Sequence, residues 1–260
     1  MTAFSETGII IFTQLMSSDI MSFLYLDTVI SSRIVVVKEI NQCDSSFVTS
    51  CLLSHCIKNK IAVVVVSTHN SLQHYHNVGL KMNCNVQKNI DSGLVDFFNL
   101  GEYCVNSLLV NNKLPQLFNT VREKIALKQQ KFDKVDVILD GVSHLFDMFY
   151  SLREVNVFCK ELIELVTGHN NSFVLFHCNE ANEHDVTQVM SNLLCHKAYT
   201  VFEVESLASG WSADVSGHLT IKHPGLKFDD EHLYTMNMKE SRYLFKLFDR
   251  GVKLLAPGTV

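Results

Sequence analysis

Residues 33–40 read RIVVVKEI, and a second β-branched stretch, IAVVVV, follows at residues 61–66. Three further stretches have the same character: GLVDFFNL at 93–100, VDVILD at 135–140 and SFVLFHC at 172–178. Short, nearly continuous apolar runs of this kind are typical of strands buried on both faces of a parallel sheet. Amphipathic segments with helical spacing separate them, at 47–58, 71–83, 114–130 and 156–167. The sequence therefore predicts an α/β fold with a mostly parallel central sheet flanked by helices.

The pattern changes after the fifth stretch. Strand-like segments follow one another closely at residues 198–205, 217–222, 241–248 and 252–255. Asp249-Arg250-Gly251 is a hairpin turn sequence between the last two. Residues 198–260 are therefore predicted to add antiparallel strands to the sheet.

The composition limits the kinds of partner and compartment. The chain has 260 residues and a formal net charge of −5, with no segment that concentrates Lys and Arg. Because proteins that hold a phosphate backbone alone usually have a basic face, any nucleic-acid role would have to be shared with partners. The eight cysteines are scattered, which indicates reduced thiols in a cytoplasmic or nuclear protein.

The first 30 residues are apolar, but they do not have the pattern of a signal peptide or a membrane span. No basic residue precedes Arg33, and Asp19 and Asp27 interrupt the apolar run. We expect a segment buried against the rest of the chain or against a partner, and no contact with a membrane.

The first strand–loop–helix unit is where a nucleotide-binding fold would place its phosphate loop. Such a loop needs glycines whose amides approach phosphate, a Lys, and a Ser or Thr for magnesium. Residues 41–46 (NQCDSS) contain neither Gly nor Lys, and Asp44 adds a negative charge. We therefore predict an ordinary connecting loop, with no bound cofactor.

Asp140 ends the strand VDVILD, at the position where P-loop ATPases carry an acid for magnesium. Without a phosphate loop opposite, we predict a structural role for Asp140, as a cap for residues 141–144. The sequence offers no CxxC pair, HExxH helix or GxSxG elbow, so we predict no metal site and no catalytic residue.

Ser209-Gly210-Trp211 contains the only Trp in the chain, between two predicted strands. An aromatic side chain in a loop can contact a partner or fold back onto the core, and both readings stay open here. Stacking on a tRNA base is a third interpretation of this aromatic side chain. Ser209, Gly210 and Trp211 are our candidates for partner or tRNA contact.

Several stretches resemble subunit six of the Elongator complex. They are QHYHNVGLK at 73–81, VDVILD at 135–140, ASGWSADVSGHL at 208–219 and FKLFDRGVK at 245–253. The resemblance implies a single RecA-like domain over residues 1–260 that lacks the usual ATPase motifs. It also implies a hetero-hexameric ring with Elongator subunits four and five. In that family the ring binds tRNA and works with the catalytic subunits, which modify the wobble uridine at carbon five.

Two alternatives remain open at this point. A divergent RecA-type ATPase or recombination paralogue would need a loop with Gly and Lys, which residues 41–46 do not provide. A pure scaffold protein with no nucleic-acid role would differ from the first reading only in tRNA binding by the assembled ring.

Overall fold

The computed structural model describes residues 20–21, 34–107, 114–168, 172–210, 212–224 and 240–255. Nine strands form one sheet in the order β3-β2-β4-β5-β1-β6-β7-β8-β9. Their bounds are β1 Ile34–Ile40, β2 Ala62–Ser67, β3 Val95–Asn99, β4 Val135–Asp140, β5 Val174–Asn179, β6 Thr200–Glu205, β7 Gly217–Lys222, β8 Ser241–Phe248 and β9 Gly251–Leu255. The six strands β1 to β6 pair in parallel, and β6 to β9 pair antiparallel.

Helices cover both faces of the parallel part of the sheet. They are α1 Ser46–Lys58, α2 Leu72–Lys81, α3 Val86–Asp91, α4 Leu100–Ser107, α5 Leu114–Gln129, α6 His144–Asp147, α7 Leu152–Thr167 and α8 Val186–Cys195. Helices α1 to α3 pack on one face with Val35 and Val37 of β1, while α5, α7 and α8 pack on the other face with Val36. Successive strand residues point to opposite faces, which is why both faces of these β-branched strands are apolar.

The predicted fold class is confirmed. All five β-branched stretches are strands of the parallel part. Of the four later segments, β6 pairs in parallel with β1 and antiparallel with β7, and the other three pair only antiparallel. Residues Asp249 and Arg250 form the turn between β8 and β9, as predicted. None of the described helices is long and apolar enough to cross a membrane.

Helix α7 begins four residues earlier than its apolar pattern suggests. Its first residue is Leu152 because Ser151 and Glu154 form a capping box, in which each side chain binds the other residue's backbone N–H. The cap satisfies amide groups that would otherwise lack a partner at the start of the helix. Hydrophobic periodicity alone does not detect such a polar first turn.

Candidate functional site

The carboxyl ends of four adjacent parallel strands meet at one edge of the sheet. In the order of the sheet, β2, β4, β5 and β1 bring Ser67, Asp140, His177 and Glu39 to this edge. Open α/β sheets bind ligands outside the carboxyl ends of their strands, so this is where a RecA-like ATPase would hold nucleotide. We call Glu39, Ser45, Asp140 and His177 the edge network.

Asp140 lies at the centre of the network and is completely buried. Its Oδ2 accepts hydrogen bonds from the hydroxyls of Ser67, at 2.9 Å, and Tyr75, at 2.8 Å. The backbone N–H and side-chain amide of Asn70 donate to the same oxygen, both at 3.3 Å. Its Oδ1 lies 3.0 Å from Nδ1 of His177, in an ionic contact that is poorly aligned for a hydrogen bond.

The pKa of Asp140 is held well below its usual range. Burial alone would raise the pKa, but the interactions with His177 and the hydrogen bond from Tyr75 outweigh burial. Asp140 is therefore an ionised carboxylate whose charge is neutralised within the protein.

His177 supplies the positive charge. Burial lowers its pKa, but the interactions with Asp140 and Glu39 outweigh burial and raise it to about 9. The ring is fully buried, and Nε2 lies 2.6 Å from the hydroxyl of Ser45 and 3.7 Å from Oε2 of Glu39. At neutral pH His177 is thus an imidazolium between two carboxylates, and Ser45 links it to Glu39 by donating its own hydroxyl proton at 3.1 Å.

The loop between β1 and α1 directs its amides at carboxylates of its own chain. The N–H of Ser45 donates to Glu39 at 3.0 Å, and the N–H of Ser46 donates to Asp44 at 2.9 Å. Burial raises the pKa of Glu39, but His177 and the Ser45 amide lower it to about 2. The amides that would hold phosphate in an ATPase are therefore occupied by anionic side chains.

The cap predicted for Asp140 is wrong. The amides of Gly141 and Val142 donate to the carbonyl oxygen of His177, at 3.2 and 2.8 Å, and not to Asp140. The Asp140 carboxylate turns instead towards the hydroxyls of Ser67 and Tyr75. Gly141 is required for this sharp exit from β4, because its φ is +92° and a Cβ atom there would overlap the Thr68 hydroxyl.

Two histidines, the exposed His69 and the half-buried His144, lie next to the network. His69, after β2, and His144, in α6, stack with centroids 5.2 Å apart, and Nδ1 of His69 lies 3.0 Å from Nε2 of His144. Nδ1 of His144 lies 3.2 Å from the Asp147 carboxylate. Across the described part of the chain, no group of three or more His, Cys, Asp or Glu side chains has the geometry of a metal site.

The predicted contact residues lie near this edge but outside the network. Ser209 and Gly210 are exposed in the connection that leaves the carboxyl end of β6, where Gly210 has φ +85°. Trp211 lies outside the described residues. Glu39 and His177 were missed by the sequence analysis. The available signal was that each is an ionisable residue near the end of a mainly apolar strand.

Comparison with known proteins agrees with the fold. The family model of Elongation complex protein 6 matches residues 22–247. The chain belongs to this family. It is 26% identical to Elongator complex protein 6 of Drosophila melanogaster over 235 residues, which cover 87% of this chain and 91% of that protein. It is 24% identical to the Homo sapiens protein of the same name over 242 residues, covering 83% and 87%. The resemblance drawn from the four sequence stretches is therefore confirmed.

Two of those stretches contain glycines that the packing of this Elongator subunit requires. A Cβ atom on Gly79 would lie 2.6 Å from the carbonyl oxygen of Cys84, where α2 approaches α3. A Cβ atom on Gly217 would overlap the carbonyl oxygen of Glu205 on the neighbouring strand β6. Tyr75, in the first of these stretches, is the donor to Asp140. The stretches that carry the resemblance thus contribute two close-packed glycines and one donor to the edge network.

Proposed function

We propose that this chain is a non-catalytic subunit of the Elongator complex, within a hetero-hexameric RecA-like ring formed with subunits four and five. In this proposal the ring binds tRNA and supports modification of the wobble uridine at carbon five by the catalytic Elongator subunits. Family membership supports the accessory role, and the mostly parallel sheet supports a RecA-like place in the ring.

The edge network carries the non-catalytic part of the proposal. A triphosphate at this position would meet the carboxylates of Glu39 and Asp44 where an ATPase presents a Lys and free amides. The cation of the edge network, His177, already lies between Glu39 and Asp140. A nucleotide would have to displace these contacts and bring several negative charges next to ionised carboxylates, which strongly opposes binding.

The tRNA part of the proposal depends on partners. With a formal net charge of −5, the chain has no excess of cations with which to hold a phosphate backbone alone. We place the tRNA site on surfaces shared with subunits four and five. The described cysteines are all free thiols, which supports a location in the cytoplasm and also in the nucleus.

A nucleotide-binding measurement tests the non-catalytic role. We expect no binding or turnover of ATP with magnesium by the purified full-length chain, before and after Asp140→Ala. ATP turnover by the wild-type chain that is lost in Asp140→Ala or Asp44→Ala would instead support the divergent ATPase or recombination paralogue.

Assembly and RNA measurements test the ring and its task. We expect co-purification with subunits four and five, and loss of carbon-five modification at wobble uridines in cells without this chain. A ring that assembles but does not bind tRNA would support the pure scaffold alternative. Unchanged wobble nucleosides in the deletion strain would contradict the proposal as a whole.

A further inference from the structure

Phe149 is the most exposed large apolar side chain among the described residues. Its exposed fraction is 96%, compared with 60% for Leu127 and 52% for Phe248. It lies in the turn between α6 and α7, beyond the strand β4 that ends in Asp140. An exposed apolar side chain alone is ordinary on a protein surface. Its backbone conformation makes this one different.

The backbone of Phe149 is in the left-handed region, with φ 64°. Helix α6 ends in a Schellman motif, in which the N–H of Phe149 donates to Phe146 at 3.0 Å and the N–H of Tyr150 donates to Leu145 at 3.3 Å. Phe149 occupies the position at which such motifs usually have Gly, because a Cβ atom is disfavoured there. A fully exposed Phe therefore stands where an isolated fold would favour Gly.

The turn that carries Phe149 is held firmly. Leu145 is completely buried, and Phe146, Met148 and Tyr150 pack partly buried against the same core as α7. The ring of Phe149 thus projects from a well-packed base. A rigid aromatic side chain loses little conformational entropy on binding, and such side chains are frequent anchors at the centres of protein interfaces.

The charges around Phe149 indicate the kind of partner. Residues 141–152 contain a single charged side chain, Asp147, and no Lys or Arg. Arg153 and Glu154, which follow, offset one another. Such a surface does not suit a phosphate backbone or an anionic membrane, which select clustered cations. The exposed His69 and Asp147, with the half-buried His144 between them, instead form a polar border on one side of the turn, as expected for an apolar protein contact with a polar rim.

We infer that Phe149 is a docking anchor that inserts into an apolar pocket on a neighbouring RecA-like subunit of the Elongator complex. This inference rests on the proposed ring with subunits four and five, and it names the residue through which the chain is held there. The left-handed backbone keeps the ring pointing outward, and the pocket of the neighbour covers it.

Phe149→Gly separates docking from folding, because it should raise the stability of the chain and weaken its binding to the partner. Gly relieves the backbone strain, so the melting temperature of the purified full-length chain should rise by about 2–4 °C. The same change removes the anchor, so the dissociation constant for co-expressed subunits four and five should rise about 30-fold or more. A residue with only a structural role would change stability and leave the affinity unaltered.

Two matched variants complete the test. Phe149→Tyr keeps a ring at the same place and should bind within about threefold of the wild-type chain. Phe248→Ala removes an exposed ring from β8, five strands away from β4 in the sheet, and should bind like the wild-type chain. Wild-type affinity in Phe149→Gly, or an equal loss in Phe248→Ala, would overturn the anchor. If the wild-type chain itself does not bind subunits four and five, the proposed ring fails first.

Discussion

Replacing His177 with Gln tests whether the edge network holds a charged imidazolium between two ionised carboxylates. His177 lies between Asp140, at 3.0 Å, and Glu39, at 3.7 Å, and burial against these opposing charges leaves its pKa at about 9. An unperturbed His has a pKa of 6.5, so the shift corresponds to about 3 kcal/mol of stability. Gln keeps hydrogen-bonding atoms near Ser45 but cannot carry the charge. We expect Gln at this position to lower the free energy of unfolding at pH 7 by about 3 kcal/mol.

The pH dependence distinguishes loss of charge from loss of packing. Because the pKa of His177 is raised in the folded state, its contribution is fully present below pH 6.5 and is lost as the pH rises through about 9. Between pH 7.5 and 8.5 the loss of stability per pH unit should be about 1 kcal/mol larger in the wild-type chain than in His177→Gln. The seven described thiols lower the stability of both chains alike in this window, because burial raises their pKa values and they ionise first in the unfolded state. The difference in slope between the two chains therefore reports His177.

Urea titrations across this pH series, at constant ionic strength, provide the measurement. His196→Gln is a matched control, because His196 is exposed and lies outside the edge network. It should retain the wild-type slope. An unchanged slope in His177→Gln would refute the reasoning, since it would mean that the buried imidazole is already neutral at pH 7.

Three further predictions concern packing, capping and assembly. Gly79→Ala should destabilise the chain by about 1–3 kcal/mol, because its Cβ would lie 2.6 Å from the carbonyl oxygen of Cys84; an unchanged urea midpoint would contradict this. Ser151→Ala should lower the free energy of unfolding by about 1 kcal/mol and increase hydrogen exchange in the first turn of α7, because it removes the capping box. Leu80→Ala, which changes an exposed side chain, is the control for both the Gly79 and the Ser151 variants. The tRNA affinity of the assembled ring should fall steeply between 50 and 200 mM salt, and a flat salt response would contradict a shared basic surface.

Much of the fold could be predicted from the sequence, because burial on both sheet faces imposes a local signature. The runs around Val35, Val64 and Ile138 are β-branched, short and nearly uninterrupted, and each became a fully buried strand segment. The hairpin at Asp249 and Arg250 could also be predicted, because its turn signal lies in neighbouring residues. The start of α7 could not be predicted from hydrophobic spacing, because Ser151 and Glu154 make a polar first turn.

The edge network could not be predicted in the same way, because its members are brought together only by the order of the strands. Glu39 and His177 are 138 positions apart in sequence, yet β1 and β5 are neighbours and pair in parallel. Position alone also suggested the wrong partner for Asp140, whose nearest amides in sequence lie beyond the sharp turn at Gly141. The role of Tyr75 depends on how α2 packs over the sheet.

The network also bears on how this chain takes part in an assembly. In an ATPase, the sheet edge changes its charge and contacts when nucleotide binds, is hydrolysed and leaves, and neighbouring subunits can respond to that cycle. Here the corresponding charges belong to Glu39, Asp140 and His177, which are covalently part of the protein and remain paired at neutral pH. No ligand is needed to keep these charges paired, so we expect the edge to keep one arrangement. The turn that carries Phe149 leaves this same edge, through β4, Gly141 and α6. We therefore expect the contact made by Phe149 to be constitutive, with the same affinity for subunits four and five in the presence and absence of ATP.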